Sequence, residues 1–76
     1  MVMRMSDLDW FVLKWVKKAY VGVKSLGNIK IIYVGFPEGV GAKTINELNE
    51  DAKYSKLKFS EVITENEIIW FVYKEV

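Results

Sequence analysis

Ile68-Ile69-Trp70-Phe71-Val72-Tyr73 is a run of six apolar or aromatic residues with no polar member. In a β-strand alternate side chains point to opposite sides, so Ile68, Trp70 and Val72 form one flank and Ile69, Phe71 and Tyr73 the other. A strand apolar on both flanks belongs inside a sheet and asks for cover on two faces. The run falls far short of the ~18 apolar residues that span a bilayer, so it predicts a central strand and not a membrane helix. Two short helices can cover one face of a four-stranded sheet, which leaves the other face in need of a second layer. The chain has only 76 residues, a length that hides about 60% of the surface its unfolded form exposes. It has no cysteine and no histidine, so disulfides and the usual structural metal sites cannot make up the deficit. A second copy of the chain is what remains, and the expected result is a homodimer with Ile68, Trp70 and Val72 at the interface.

Working upstream, residues 64–67 are polar and of hairpin length. Residues 56–63 alternate, with Leu57, Phe59 and Ile63 on one side and Lys56, Lys58 and Ser60 on the other, as in a half-buried edge strand. Over 29–36 both alternate sets are apolar (Ile29, Ile31, Tyr33 and Ile32, Val34, Phe36), which predicts a second interior strand. Gly35, Pro37, Gly39 and Gly41 mark a loop, after which Thr44 and Glu47 form a capping box opening a short helix through Ile45, Leu48 and Ala52. At the front, Leu8, Val12, Trp15, Val16 and Ala19 recur at helical spacing with Lys14, Lys17 and Lys18 opposite, predicting a helix over about 7–20. Ser6, three residues before Asp9, is its N-cap, and Met5 and Trp10 occupy the positions of a hydrophobic staple. Gly22, Gly27 and Asn28 then punctuate the chain, and Val2, Arg4 and the methionines of 1–5 can supply a first strand. The expected architecture is one α+β domain over 1–76: a two-layer βαβαββ sandwich, with a mixed four-stranded sheet and two helices on one face.

The missing residue types also limit the chemistry. Without cysteine or histidine there is no thiol nucleophile, imidazole base, Cys/His zinc site or common haem ligation, so an enzyme, a metal and a cofactor are not expected. Gly39-Val40-Gly41-Ala42-Lys43-Thr44 lies between a strand and a helix, but Ala42 before Lys43 breaks the phosphate-loop spacing. It reads as a turn whose amides, with Lys43, could meet an anion. Glu61, Glu65 and Glu67 fall on or near a hairpin tip, where water equalises them, so they read as solubilising charge rather than an acid–base pair. Residues 1–5 hold one arginine and no 7-residue apolar core, unlike a signal peptide, so a soluble cytoplasmic domain with no membrane partner is expected. The abundance of Lys, Glu, Ile and Val, with no glutamine, fits a thermophilic source.

Charge is unevenly divided. Residues 1–37 carry six basic against two acidic side chains, the rest five against eight, and the net charge is +1. Any polyanion contact would therefore depend on a local, salt-sensitive patch.

With this order of elements the chain resembles Alba, a family of small dimeric archaeal chromatin and RNA-binding proteins. Phe11-Val12-Leu13 falls where the family's first helix carries a similar apolar run. Ile29-Lys30-Ile31 through Gly35 resembles its second strand running into a glycine hairpin, and 56–63 and 68–74 resemble its last two strands. The resemblance implies a dimer that binds DNA or RNA along the phosphate backbone without base specificity. The basic residues expected to make those contacts are Arg4, Lys14, Lys17, Lys18, Lys30 and Lys43. Two departures concern function. Met5 and Ser6 stand where the family has a lysine pair, and Val34 and Phe36 flank Gly35 where the family has arginines. The other expectation from the same residues is a protein-interaction or structural module that uses the 68–73 surface, with no nucleic-acid role and no small-molecule substrate.

Overall fold

The computed structural model describes residues 6–76. The Ser6 hydroxyl accepts the Asp9 amide at 3.1 Å and so caps helix α1 (Asp7–Trp15), the start that its sequence predicts. Phe11 and Trp15, one turn apart, are fully buried. The helix stops earlier than its spacing suggests, because the Trp15 carbonyl accepts from both Lys18 and Ala19 at 2.9 Å and closes a tighter turn. Val16, expected in the core, is consequently 53% exposed, and the chain enters strand β1 (Tyr20–Leu26).

Sequence periodicity missed β1. It is an edge strand exposed along most of its length, so it carries no apolar alternation. Its conformation comes from pairing with β2 (Ile29–Phe36), from Tyr20 opposite Gly35 to Leu26 opposite Ile29. Gly27, at φ 61, takes the left-handed first position of the two-residue turn between them. Helix α2 (Ala42–Tyr54) opens on Gly41 with no side-chain cap, so Thr44 lies inside the helix and the expected capping box is not its start. β3 (Leu57–Glu65) and β4 (Ile68–Glu75) close the chain. The turn between them is only Asn66-Glu67, both left-handed (φ 52 and 65), as a type I′ hairpin requires.

The sheet order is β1-β2-β4-β3, with β4 inside and β3 at the edge as their residue patterns predict. Two expectations are corrected. The described residues run αββαββ and not βαβαββ, and the sheet is antiparallel at every pairing rather than mixed. The physical reason is that β2 and β3, the strands joined through α2, are not neighbours: β4 lies between them and pairs antiparallel with both. The Alba resemblance rested on one strand between the two helices, where this chain has two. The proposed first strand in 1–5 lies outside the described residues.

The two αββ halves are arranged alike. The pair Gly22–Tyr33 in the first hairpin corresponds to Glu61–Val72 in the second, each residue 39 positions on. Each helix buries two residues one turn apart, Phe11 with Trp15 and Leu48 with Ala52.

Both helices lie on one face, as expected. Phe11, Trp15, Leu48 and Ala52 pack onto Ile32, Val34 and Phe36 of β2, Phe71 and Tyr73 of β4, and Leu57 of β3. Trp15, Phe36 and Phe71 form a chain of edge-to-face contacts at 6.3 and 5.8 Å. An irregularity between Phe59 and Glu61 corrects the reading of β3. The extra residue switches sides, so Phe59 stays on the helix side while Ile63, opposite Trp70, faces the other way.

The Tyr73 hydroxyl donates to Asn49 Oδ1 at 2.7 Å, and burial pushes its pKa from 10.0 up to about 12. The unfolded chain ionises this phenol first, so the stability it contributes is complete below pH 10.0 and is lost between there and about 12. Denaturant titrations over that window should show a falling midpoint in the parent, and a smaller fall in Tyr73→Phe.

Candidate functional site

The helix layer accounts for the densest group of lysines. Lys14 Nζ lies 2.7 Å from Asp51 and 3.0 Å from Glu47, and Lys18 Nζ lies 3.0 Å from Glu47. The same ammonium groups sit over tryptophan rings, Lys14 at 5.4 Å from Trp10 and Lys18 at 5.2 Å from Trp15. Trp15 Nε1 donates to Asp51 Oδ2 at 2.9 Å, tying the ring into the same bracket. Trp10, expected at a staple, meets Tyr54 edge-on at 5.1 Å, while its expected partner Met5 lies outside the described residues. Lys14 and Lys18 therefore join α1 to α2, where sequence reasoning had placed them on a solvated outer face.

Hydrogen bonds from Lys14 and then Lys18 hold the Glu47 carboxyl below its ordinary 4.5, and hydrogen bonding to Asp51 chiefly raises Lys14 above 10.5. A lowered carboxyl pKa stabilises the fold above the unfolded value and ceases to do so as pH falls through the folded one. Lys14 loses its contribution only as pH rises through its raised value. The stability difference between the parent and Glu47→Gln should thus be steady near neutrality and shrink on acidification below pH 4.5, read from urea midpoints across pH.

The remaining expected contacts do not assemble into one patch. Lys17 is exposed on the turn after α1, and Lys43 is exposed in the first turn of α2. Lys30 opens β2, its amide donating to Glu75 Oε1 at 3.0 Å. The rest of β2, roughly 20 Å from Lys30 to Phe36, separates it from the loop that leads to Lys43. Arg4 lies outside the described residues.

A different set of side chains meets on the sheet face away from the helices. Strand register places Lys24, Ile31, Lys74 and Lys58 in one row across β1, β2, β4 and β3. The row is roughly 14 Å long. The next row is Gly22, Tyr33, Val72 and Glu61, and the one after is Tyr20, Gly35, Trp70 and Ile63. Among the described residues no carboxylate pairs with Lys24, Lys58 or Lys74, and residues 1–5 contain no acid. Ile31 and Val72 are 8% and 3% exposed, yet neither belongs to the helix-side core. Their neighbours on the same face are what screen them.

Gly35 shapes this surface. A Cβ built there would lie 2.6 Å from the Trp70 ring and 2.9 Å from Ile68. The indole thus occupies the space that a side chain at position 35 would fill, and it remains partly exposed. Tyr33, Trp70, Ile63, Gly22, Glu65 and Asn66 enclose a shallow concavity of about 390 Å³ beside it.

Sequence reasoning placed Ile68, Trp70 and Val72 on a common flank, and all three occur on this face. It missed Lys24, Lys58 and Lys74, which are far apart in sequence. The Gly27-Asn28 turn would have aligned Lys24 with Ile31, but the irregularity in β3 carries no sequence signal that would have aligned Lys58.

Among the described residues no cluster of acidic side chains could hold a metal ion, and no helix is long and apolar enough to cross a membrane. Comparison with protein-family models, curated proteins and solved structures returns no match, so the arrangement of side chains on this sheet carries the functional reading.

Proposed function

We propose that the chain binds nucleic acid on the sheet face opposite the helices, with Lys24, Lys58 and Lys74 contacting backbone phosphates and no base specificity arising from those contacts. The lysine row is the observation that carries this reading. Lys58 and Lys74 stand directly opposite each other on neighbouring strands, an arrangement of like charges that destabilises a sheet. A polyanion laid across the row relieves that repulsion and releases its own counterions. Tyr33 follows the row by one step along the strand, roughly 7 Å, and Trp70 by two. Aromatic faces beside a basic track suit bases as well as phosphates. This reading relocates the contacts from Lys14 and Lys18, which hold the two helices together.

Titration of fluorescently labelled oligonucleotides tests it. Three phosphate contacts predict that a fourfold rise in salt weakens single-strand binding about 20-fold. Lys24, Lys58 and Lys74 changed together to Glu should remove binding, and Lys17→Glu should leave it nearly unchanged. Retained affinity in the triple variant, with its circular dichroism intact, would sink the proposal.

A second reading gives the same face to another copy of this chain. Ile68, Trp70 and Val72 share it with Ile31, Tyr33 and Ile63, an apolar centre without a helix over it. Such a homodimer would bury the face that nucleic acid needs. Sedimentation over a range of concentrations, with and without oligonucleotide, separates the two: a dimer unaffected by oligonucleotide favours the second.

A further inference from the structure

Resting on the nucleic-acid reading above, we infer that the concavity beside Trp70 takes one unpaired base of a single strand and prefers guanine, read by the Glu65 carboxylate. The sheet face is polar in the electrical sense. Lys24, Lys58 and Lys74 crowd one end, Glu61 follows in the next row on the β3 side, and Glu65 stands at the other end. A phosphate is attracted to the first end and repelled from the second, so what reaches the second end is the uncharged part of a nucleotide.

The concavity there is built for a flat aromatic group. Trp70 lies against Gly35, and Tyr33 and Ile63 border the same depression. Its volume of about 390 Å³ is ample for one base lying on the indole. A base inside a duplex presents no free face to such a platform, whereas an unstacked one does. Glu65 and Asn66 stand at the rim. Among the described residues Glu65 has no ion-pair or side-chain hydrogen-bond partner.

An ionised carboxylate only accepts hydrogen bonds. Guanine offers two parallel donors on its Watson–Crick edge, the ring N1–H and the exocyclic amino group, which match the two carboxylate oxygens. Uracil and thymine offer one donor flanked by two acceptors, which the carboxylate repels. Cytosine and adenine offer an amino group but no second donor on that edge. The chemistry of the rim therefore ranks guanine first.

The test uses the full chain and labelled oligouridine strands that differ at one central position: guanosine, inosine, which lacks the exocyclic amino group, uridine, or an abasic site. The same guanosine strand annealed to its complement is the duplex arm, and a DNA series separates a requirement for ribose from one for the base. The guanosine strand is expected to bind most tightly. Abasic substitution, or Trp70→Ala, should weaken it between about 5- and 150-fold, the range of one base–aromatic stack. Glu65→Gln, on an exposed hairpin end, should abolish the preference for guanosine over inosine and leave the all-uridine affinity in place. That keeps the inference testable should Trp70→Ala fold poorly.

Equal affinity for all four strands, or a duplex bound as tightly as the single strand, overturns this inference while the lysine-row proposal stands. Binding that survives charge reversal of the three lysines overturns that proposal instead. No binding to any strand at low salt removes both.

Discussion

Trp15→Ala is expected to lower the melting temperature by roughly 12 to 40 °C, which follows from a loss of about 3–5 kcal/mol in a domain of this size. Trp15 is fully buried, and it ties α1 to both the sheet and α2. Its ring meets Phe11 and Phe36, each at 6.3 Å, and its Nε1 donates to Asp51 at 2.9 Å. Truncation therefore opens a cavity and removes a partner from Asp51 in one step. A chain of this length has a total stability of about 4–11 kcal/mol, so the loss is about a quarter of it or more. Trp15→Phe keeps most of the ring packing and forfeits the N–H, and its cost should be nearer 1–2 kcal/mol. Thermal melts followed by circular dichroism measure both. A shift of only a few degrees for Trp15→Ala would mean that the α1–sheet contact is not the centre of the core.

Gly35→Val is the second large effect and it joins stability to function. Valine favours strands by up to about 1 kcal/mol on propensity alone, so without a steric conflict the change would stabilise the interior strand β2. The conflict is present: the new Cβ would sit 2.6 Å from the Trp70 ring and 2.9 Å from Ile68. Overpacking of this kind costs about 1–3 kcal/mol, which exceeds the propensity gain. If the indole instead swings off the sheet, the strain is relieved and the stacking platform is lost. The expected result is therefore a less stable protein, or one of similar stability with red-shifted emission and weakened single-strand binding. Emission is best read in a Trp10→Phe background, since Trp15 is buried. A more stable Gly35→Val with unchanged emission and binding would contradict the account of Gly35.

Residues that bury many contacts announced their own structure. The doubly apolar runs over 29–36 and 68–73 predicted interior strands, and the alternation over 56–63 predicted an edge, because burial on one or two flanks leaves a period in the chain. Ser6 with Asp9 announced the start of α1, since capping needs only residues a few positions apart. β1 left no such trace: its residues are mostly exposed, and its partner β2 rather than its own pattern holds it in the sheet.

For the candidate site the division is sharper. Local spacing sufficed to group Ile68, Trp70 and Val72 on one flank, because side chains two apart on a strand always share a side. It could not say which flank the helices cover. Nor could it say which lysines are engaged, since Lys14 finds Asp51 and Lys18 finds Glu47 across a helix–helix contact. The row of Lys24, Lys74 and Lys58 exists only through strand order, two hairpin turns and one irregular pairing. Hydrophobic period and capping are properties of neighbours along the chain and can be read from it. The meeting of charges from separate strands is a property of register and topology, which arise only when the whole sheet assembles.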